Sequence, residues 1–155
     1  MKNAIGIRVT PSVIYFTVVA NEGENIEVQV IDKIVNPKAL KTPEQLKYIR
    51  NTLSDIIHEF EVTHACIRAT EPTAQKININ RVYIEGVIQE LFASSPIQSY
   101  FVGYISNISA RLNINRDEFK DIADAKTPFL EIDNWGDFNK EERESFMSAV
   151  SSLEI

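Results

Sequence analysis

Apolar runs and breakers alternate along the first third of the chain. Residues 4–9 form a short, mostly apolar run that Thr10-Pro11-Ser12 interrupts, since proline fixes its own φ and restricts the residue before it. Residues 13–20 (VIYFTVVA) are β-branched and aromatic and read as a strand buried on both faces. A polar turn at 21–25 contains Gly23. Residues 26–35 begin with strict alternation, Ile26, Val28 and Val30 against Glu27 and Gln29, the pattern of a half-exposed edge strand. Asn36-Pro37 ends it. Thr42 before Pro43 suits a cap and first helical residue, and Leu46, Ile49, Leu53, Ile56, Ile57 and Phe60 then recur at helical spacing, predicting a helix over 43–60. Residues 64–69 (HACIRA) are the next strand, and 71–78 a polar loop. Ile79, Val82, Tyr83, Gly86, Val87 and Leu91 trace a second helix. Gly86 in its middle costs about 1 kcal/mol against alanine, which close packing of that helix on the sheet would explain. Residues 98–105 are a fifth strand, and 106–112 a short helix. Residues 113–137 read as irregular and acidic. Asn139 caps a last helix carrying Phe146, Met147, Val150 and Leu153.

Three strands followed by helix, strand, helix, strand and further helices predict an α/β fold: a five-stranded mixed sheet, antiparallel in its first three strands, with strand-helix-strand crossovers and flanking helices. At 155 residues the chain suits one domain, 1–155. Its composition, 44% hydrophobic and 25% charged, is that of a globular protein. No run approaches the roughly eighteen apolar residues of a membrane helix, the first residues (MKNAIGIRVT) lack a secretion-signal pattern, and Cys66 is the single cysteine. Together these lead us to expect a cytoplasmic protein with no membrane partner. The net charge of −6 argues against indiscriminate binding to nucleic acid. The acidity is local, however: residues 117–155 carry −7 and residues 1–116 carry +1, so the first three quarters can still present a basic face.

Several stretches resemble the ribonuclease H-like superfamily, in particular the RuvC-type Holliday-junction resolvases and small relatives. Residues 4–10 (AIGIRVT) resemble the first strand of those enzymes, where an aspartate follows glycine and an apolar residue. Residues 64–71 resemble the fourth strand, which ends in a catalytic glutamate. Gly86 resembles a glycine of the following helix, residues 104–112 the next strand end and short helix, and residues 140–152 the last helix with its further acids. The resemblance implies a ribonuclease H-like fold. It also implies a site where three or four carboxylates hold two divalent metal ions that activate water and stabilise a leaving oxygen. In this chain the aspartate position is Arg8 and the glutamate position is most simply Arg68. A fixed positive charge at either place repels a metal, so the active site reads as degenerate, and no cofactor is expected. The alternative is a metal-dependent nuclease with rearranged acids, Glu71, Asp121, Asp124 and Glu142, loaded with magnesium or manganese.

Arg8 lies two residues after Gly6, and Arg68 two after Cys66. On parallel neighbouring strands both side chains leave one sheet face near the strands' C-terminal ends, where open α/β sheets bind ligands. Buried guanidiniums need anionic company. One outcome is an internal salt bridge to Glu71, Glu141 or Glu142; the other is an anion or partner site formed by Arg8, Arg68 and Glu71, since forked arginines suit phosphate. Little else carries chemistry. His58 and His64 have no ligand cluster around them, Cys66 reads as buried and inert, and no nucleophile elbow or phosphate loop occurs. Trp135 and Phe138 in the acidic segment either anchor it to the core or dock on a partner. The expected function is a non-catalytic binding protein that uses the former active-site face for nucleic acid or a protein partner. Strand 26–35 offers an edge through which a homodimer could form.

Overall fold

A computed structural model describes residues 1–154. The chain order is β1 (Lys2–Val9), β2 (Val13–Glu22), β3 (Asn25–Val35), α1 (Thr42–Glu59), β4 (His64–Arg68), α2 (Ile79–Ser94), β5 (Ser99–Gly103), α3 (Ile105–Leu112), α4 (Arg116–Ala123), a 3-10 turn (Trp135–Asp137) and α5 (Lys140–Ser152). The strands form one five-stranded sheet in the order β3-β2-β1-β4-β5. β1–β2 and β2–β3 are antiparallel, and β1–β4 and β4–β5 are parallel. β3 is indeed an edge strand, with a register irregularity opposite Val18 and Val19.

Strand alternation divides the core in two. Ile5, Ile7 and Val9 of β1 with Ala65 and Ile67 of β4 pack under α1 and α2. Ala4 and Cys66, on the other face, pack with Ile108, Phe119, Phe146, Met147 and Val150 of α3, α4 and α5. Gly6, Arg8 and Arg68 share that second face by the same two-residue period. Helix α5 is buried from Arg143 to Ser152 and lies across β1, β2 and β4. Its small residues permit this: Ser145, Ser148 and Ala149 are fully buried, and the Ser145 and Thr17 hydroxyls sit 2.7 Å apart.

Three expectations need correction. The cap of α1 is Lys41, with Thr42 already helical and Pro43 in the first turn. The segment 113–137 is not wholly irregular, because α4 lies inside it. Asn115 and Glu118 close a capping box there, and Phe119, Ile122 and Ala123 are buried on one face. The rest of the segment is pinned by Trp135, whose Nε1 donates to the Ile122 carbonyl at 2.9 Å and whose ring meets Phe129 and Phe146. The aromatics therefore anchor the loop to its own core. Finally, Gly86 does not mark close packing on the sheet: it is exposed, and a Cβ there would meet no atom within 4 Å. Gly86→Ala is accordingly expected to stabilise the protein by up to about 1 kcal/mol, read as a higher urea midpoint with unchanged slope. A lower midpoint would contradict this account of the glycine.

Candidate functional site

Arg8 and Arg68 face each other in the last register pair of the parallel β1–β4 ladder. Helix α5 crosses above them and presents Glu144 between the two. Arg8 Nε lies 3.2 Å from one carboxylate oxygen of Glu144, and Arg68 Nε lies 3.2 Å from the other. The Glu144 and Arg68 side chains are 3% and 5% exposed, and Arg8 16%, so the charges interact with little screening. The carboxylate shared by both arginines is that of Glu144, which was not among the acids expected; of those, Glu71 does pair with Arg68, at 3.7 Å, while Glu141 and Glu142 form no ion pair with either arginine among the described residues. Glu142 instead accepts from the Asn139 backbone N–H at 2.9 Å and closes the capping box of α5.

Further charges extend the row. Arg68 Nη1 donates to the Ala69 carbonyl and lies 3.7 Å from Glu71 Oε2. Glu71 Oε1 accepts from the Ile105 N–H at 3.3 Å, at the start of α3, and lies 3.7 Å from Arg116. Arg116, Glu71, Arg68, Glu144 and Arg8 thus alternate in sign. Beside them Glu85 of α2, which sequence reasoning missed, is 4% exposed. It accepts from Thr70 N–H and hydroxyl and from Arg81 Nε, the last at 2.9 Å. The signal was available: Arg81 and Glu85 stand at the i, i+4 spacing of a helical ion pair.

Cation excess marks this corner. Burial pulls the Arg68 guanidinium below its ordinary pKa, and the neighbouring Arg8 charge adds to the effect. Arg81 is lowered by burial and then by Arg8. Arg8 Nη1 is buried without a hydrogen-bond partner. A cavity of about 180 Å³ opens beside the pair and is bordered by Arg8, Arg68, Lys120, Asp124, Lys140 and Glu144.

The remaining predicted acids do not converge. Asp121 is exposed on α4, where its carbonyl accepts from Lys126. Asp124 borders the cavity but pairs with Lys140 at 3.3 Å. Among the described residues no three His, Cys, Asp or Glu side chains gather as a metal-ligand set. Cys66 is buried, and burial pushes its thiol up to about 12. No helix among the described residues is long and apolar enough to cross a membrane.

The fold is that of the RuvC-type resolvases. The chain superposes on Thermus thermophilus RuvC, alone and in complex with a Holliday junction substrate, with a TM-score of 0.73. The match covers 97% of this chain and 92% of that one, at 10% identity. Fowlpox virus resolvase, solved with Holliday junction DNA, matches with a TM-score of 0.56 over 98% of this chain and 97% of that chain, again at 10% identity. No protein-family model and no curated protein sequence matches the chain.

Proposed function

We propose that this protein is a non-catalytic binding protein on a ribonuclease H-like scaffold, and that it holds nucleic acid with the sheet face on which the resemblance to the resolvases implies an active site. The observation that carries this reading is the Arg8–Glu144–Arg68 bridge at the C-terminal ends of β1 and β4. Divalent ions do not fit these residues. The single carboxylate between the strands is already shared by two guanidiniums, whose fixed charges repel a cation; of the buried atoms here without a hydrogen-bond partner, Arg8 Nη1 is a donor, and Glu71 Oε2, a carboxylate oxygen, lies 3.7 Å from the Arg68 guanidinium. Exposed Lys120, Lys140 and Arg116 stand around the same corner, available to phosphate.

Fluorescence anisotropy with a labelled four-way DNA junction and a single strand tests the proposal. Binding is expected, and from about 50 to about 200 mM salt it should weaken about 40-fold for the junction and about 20-fold for the single strand if three phosphates are contacted. Lys120→Glu with Lys140→Glu should abolish it. The DNA should remain intact in magnesium or manganese. Cleavage that disappears in Glu71→Gln or Asp124→Asn would instead establish the rearranged nuclease. Absence of binding to either DNA would overturn the nucleic-acid reading in favour of a protein partner.

A further inference from the structure

At the opposite end of the sheet from the two arginines, a groove of about 450 Å³ opens between the start of β3 and the turn at Leu130 and Glu131. We infer that it docks an extended segment of a partner protein in which basic and apolar residues alternate, added as a sixth strand along the first residues of β3. The groove is remote from the nucleic-acid face: the β2–β3 turn sits beside the first residues of β1, where Lys2 pairs with Asn21, whereas Arg8 and Arg68 stand at the other end of their strands.

Among the described residues β3 pairs only with β2, so its outward backbone groups have no strand partner. The register irregularity opposite Val18 and Val19 divides the strand, and residues 25–28 before it form a regular stretch. Alternation along that stretch sorts its side chains by face. Ile26 packs with the core under α5, and Val28 stands opposite Val19 of that core, so both point into the groove. Glu27, between them, points to the other face. A strand added beside them alternates in the same way, with apolar side chains over the groove and basic ones beside Glu27.

The groove is apolar at its floor and acidic at its rim. Phe146 forms the floor, 1% exposed and met edge-on by Phe129 and Trp135. Val28 and Leu130, 41% and 50% exposed, line it and are open to solvent. Glu24 and Glu131 border it, and Glu27 lies beside it on β3. All three acids are exposed, and among the described residues none of them makes an ion pair. A basic segment complements those charges, whereas nucleic acid is repelled by them. A second copy of this chain fits less well: β3 laid antiparallel on itself about its middle residue, Val30, puts the register irregularity of both strands at the crossing.

The turn that supplies Leu130 runs against local preference. The Ile132 N–H donates to the Phe129 carbonyl at 3.0 Å, and the two residues between, Leu130 and Glu131, both have positive φ, 51° and 56°. That is the pattern of a type I′ turn, which asparagine and glycine favour and leucine and glutamate do not. Leu130 gains little burial by standing there, since half of it is exposed. A residue kept where folding alone would choose another points to a contact made outside the chain.

Fluorescence anisotropy with three labelled octapeptides, alternating Lys-Val, Lys-Ser and Glu-Val, provides the test. The Lys-Val peptide is expected to bind at least about tenfold more tightly than either of the others, because only it supplies both the charge and the apolar side chains. Leu130→Asn with Glu131→Gly gives the turn the residues it favours, so the melting temperature of that variant should equal or exceed the parent's while its affinity for the Lys-Val peptide falls at least about tenfold. Val28→Lys, at an exposed strand position, should lose the peptide likewise with the fold intact by circular dichroism. A Lys-Val peptide that binds no better than the other two, or that binds both variants as it binds the parent, overturns the docking site. A dimer seen by light scattering and dissolved by Val28→Lys overturns the partner protein and gives the groove to a second copy. None of these outcomes touches the nucleic-acid reading, which stands or falls on the DNA titrations.

Discussion

Alanine at position 6 is expected to destabilise the protein by more than about 4 kcal/mol, enough to erase the folded baseline in a urea titration. A Cβ on Gly6 would lie 2.1 Å from the Ser145 carbonyl oxygen, 2.2 Å from the Ala149 nitrogen and 2.9 Å from the Ala149 Cα. All three are main-chain atoms of α5, so no side-chain rotation relieves the clash. The helix would have to lift from β1. In lifting, it would open the fully buried layer of Ala4, Cys66, Met147 and Ala149 and break the Thr17–Ser145 contact. Glu144 rides on the same helix, so the charge bridge would go with it. Gly86→Ala is the internal control: the same substitution at the exposed glycine should move stability the other way. A Gly6→Ala protein with the parent's urea midpoint would show that α5 does not sit where the bridge requires.

That contact also explains what could and could not be read from the chain. The first three strands were legible because β-branched and aromatic runs are punctuated by Pro11, Gly23 and Pro37. The convergence of Arg8 and Arg68 was legible from parity alone, each lying two residues beyond a position on the α5 face. Glu71 was legible as a partner of Arg68, but Glu144, the carboxylate that both arginines share, was not. Glu141, Glu142 and Glu144 occupy barely one helical turn, and which of them meets the sheet depends on how α5 is rotated about its axis. Two tertiary facts set that rotation: the Asn139–Glu142 capping box, which commits Glu142 to the helix end, and the approach of Ser145 and Ala149 onto Gly6. The wrong glycine was credited with close packing for a related reason. A mid-helix glycine attracts attention because helices disfavour it, while Gly6 in a strand looks like a minor weakness. Helix α4 was missed because it spans eight residues and turns out of the helix at Ala125, with φ 60°, where a glycine would have announced the end.

Removing the carboxylate of Glu144 should be nearly as damaging as the Gly6 change, for an electrostatic cause. Glu144→Ala leaves two guanidiniums facing each other under α5. Arg68 keeps only the Ala69 carbonyl and, at 3.7 Å, Glu71. Breaking a buried ion pair from one side costs about 3–5 kcal/mol, since the uncompensated charge cannot regain its hydration. Replacing all three charges by apolar residues, Arg8→Leu, Arg68→Met and Glu144→Leu, should return stability to within about 1 kcal/mol of the parent or exceed it, because each buried ion's desolvation cost vanishes with its charge. The pair of variants separates two origins of the bridge. If it existed for stability, the triple change would be as harmful as the single one, and urea midpoints would show it. If it persists because the face must carry positive charge, the triple variant should fold well and bind no nucleic acid. Glu144→Gln adds a finer readout: with the internal anion neutralised, inorganic phosphate should raise its melting temperature more than the parent's, because a ligand stabilises in proportion to its affinity for the folded state. A Glu144→Gln protein indifferent to phosphate would mean that the two arginines do not present an anion site even when their carboxylate is removed.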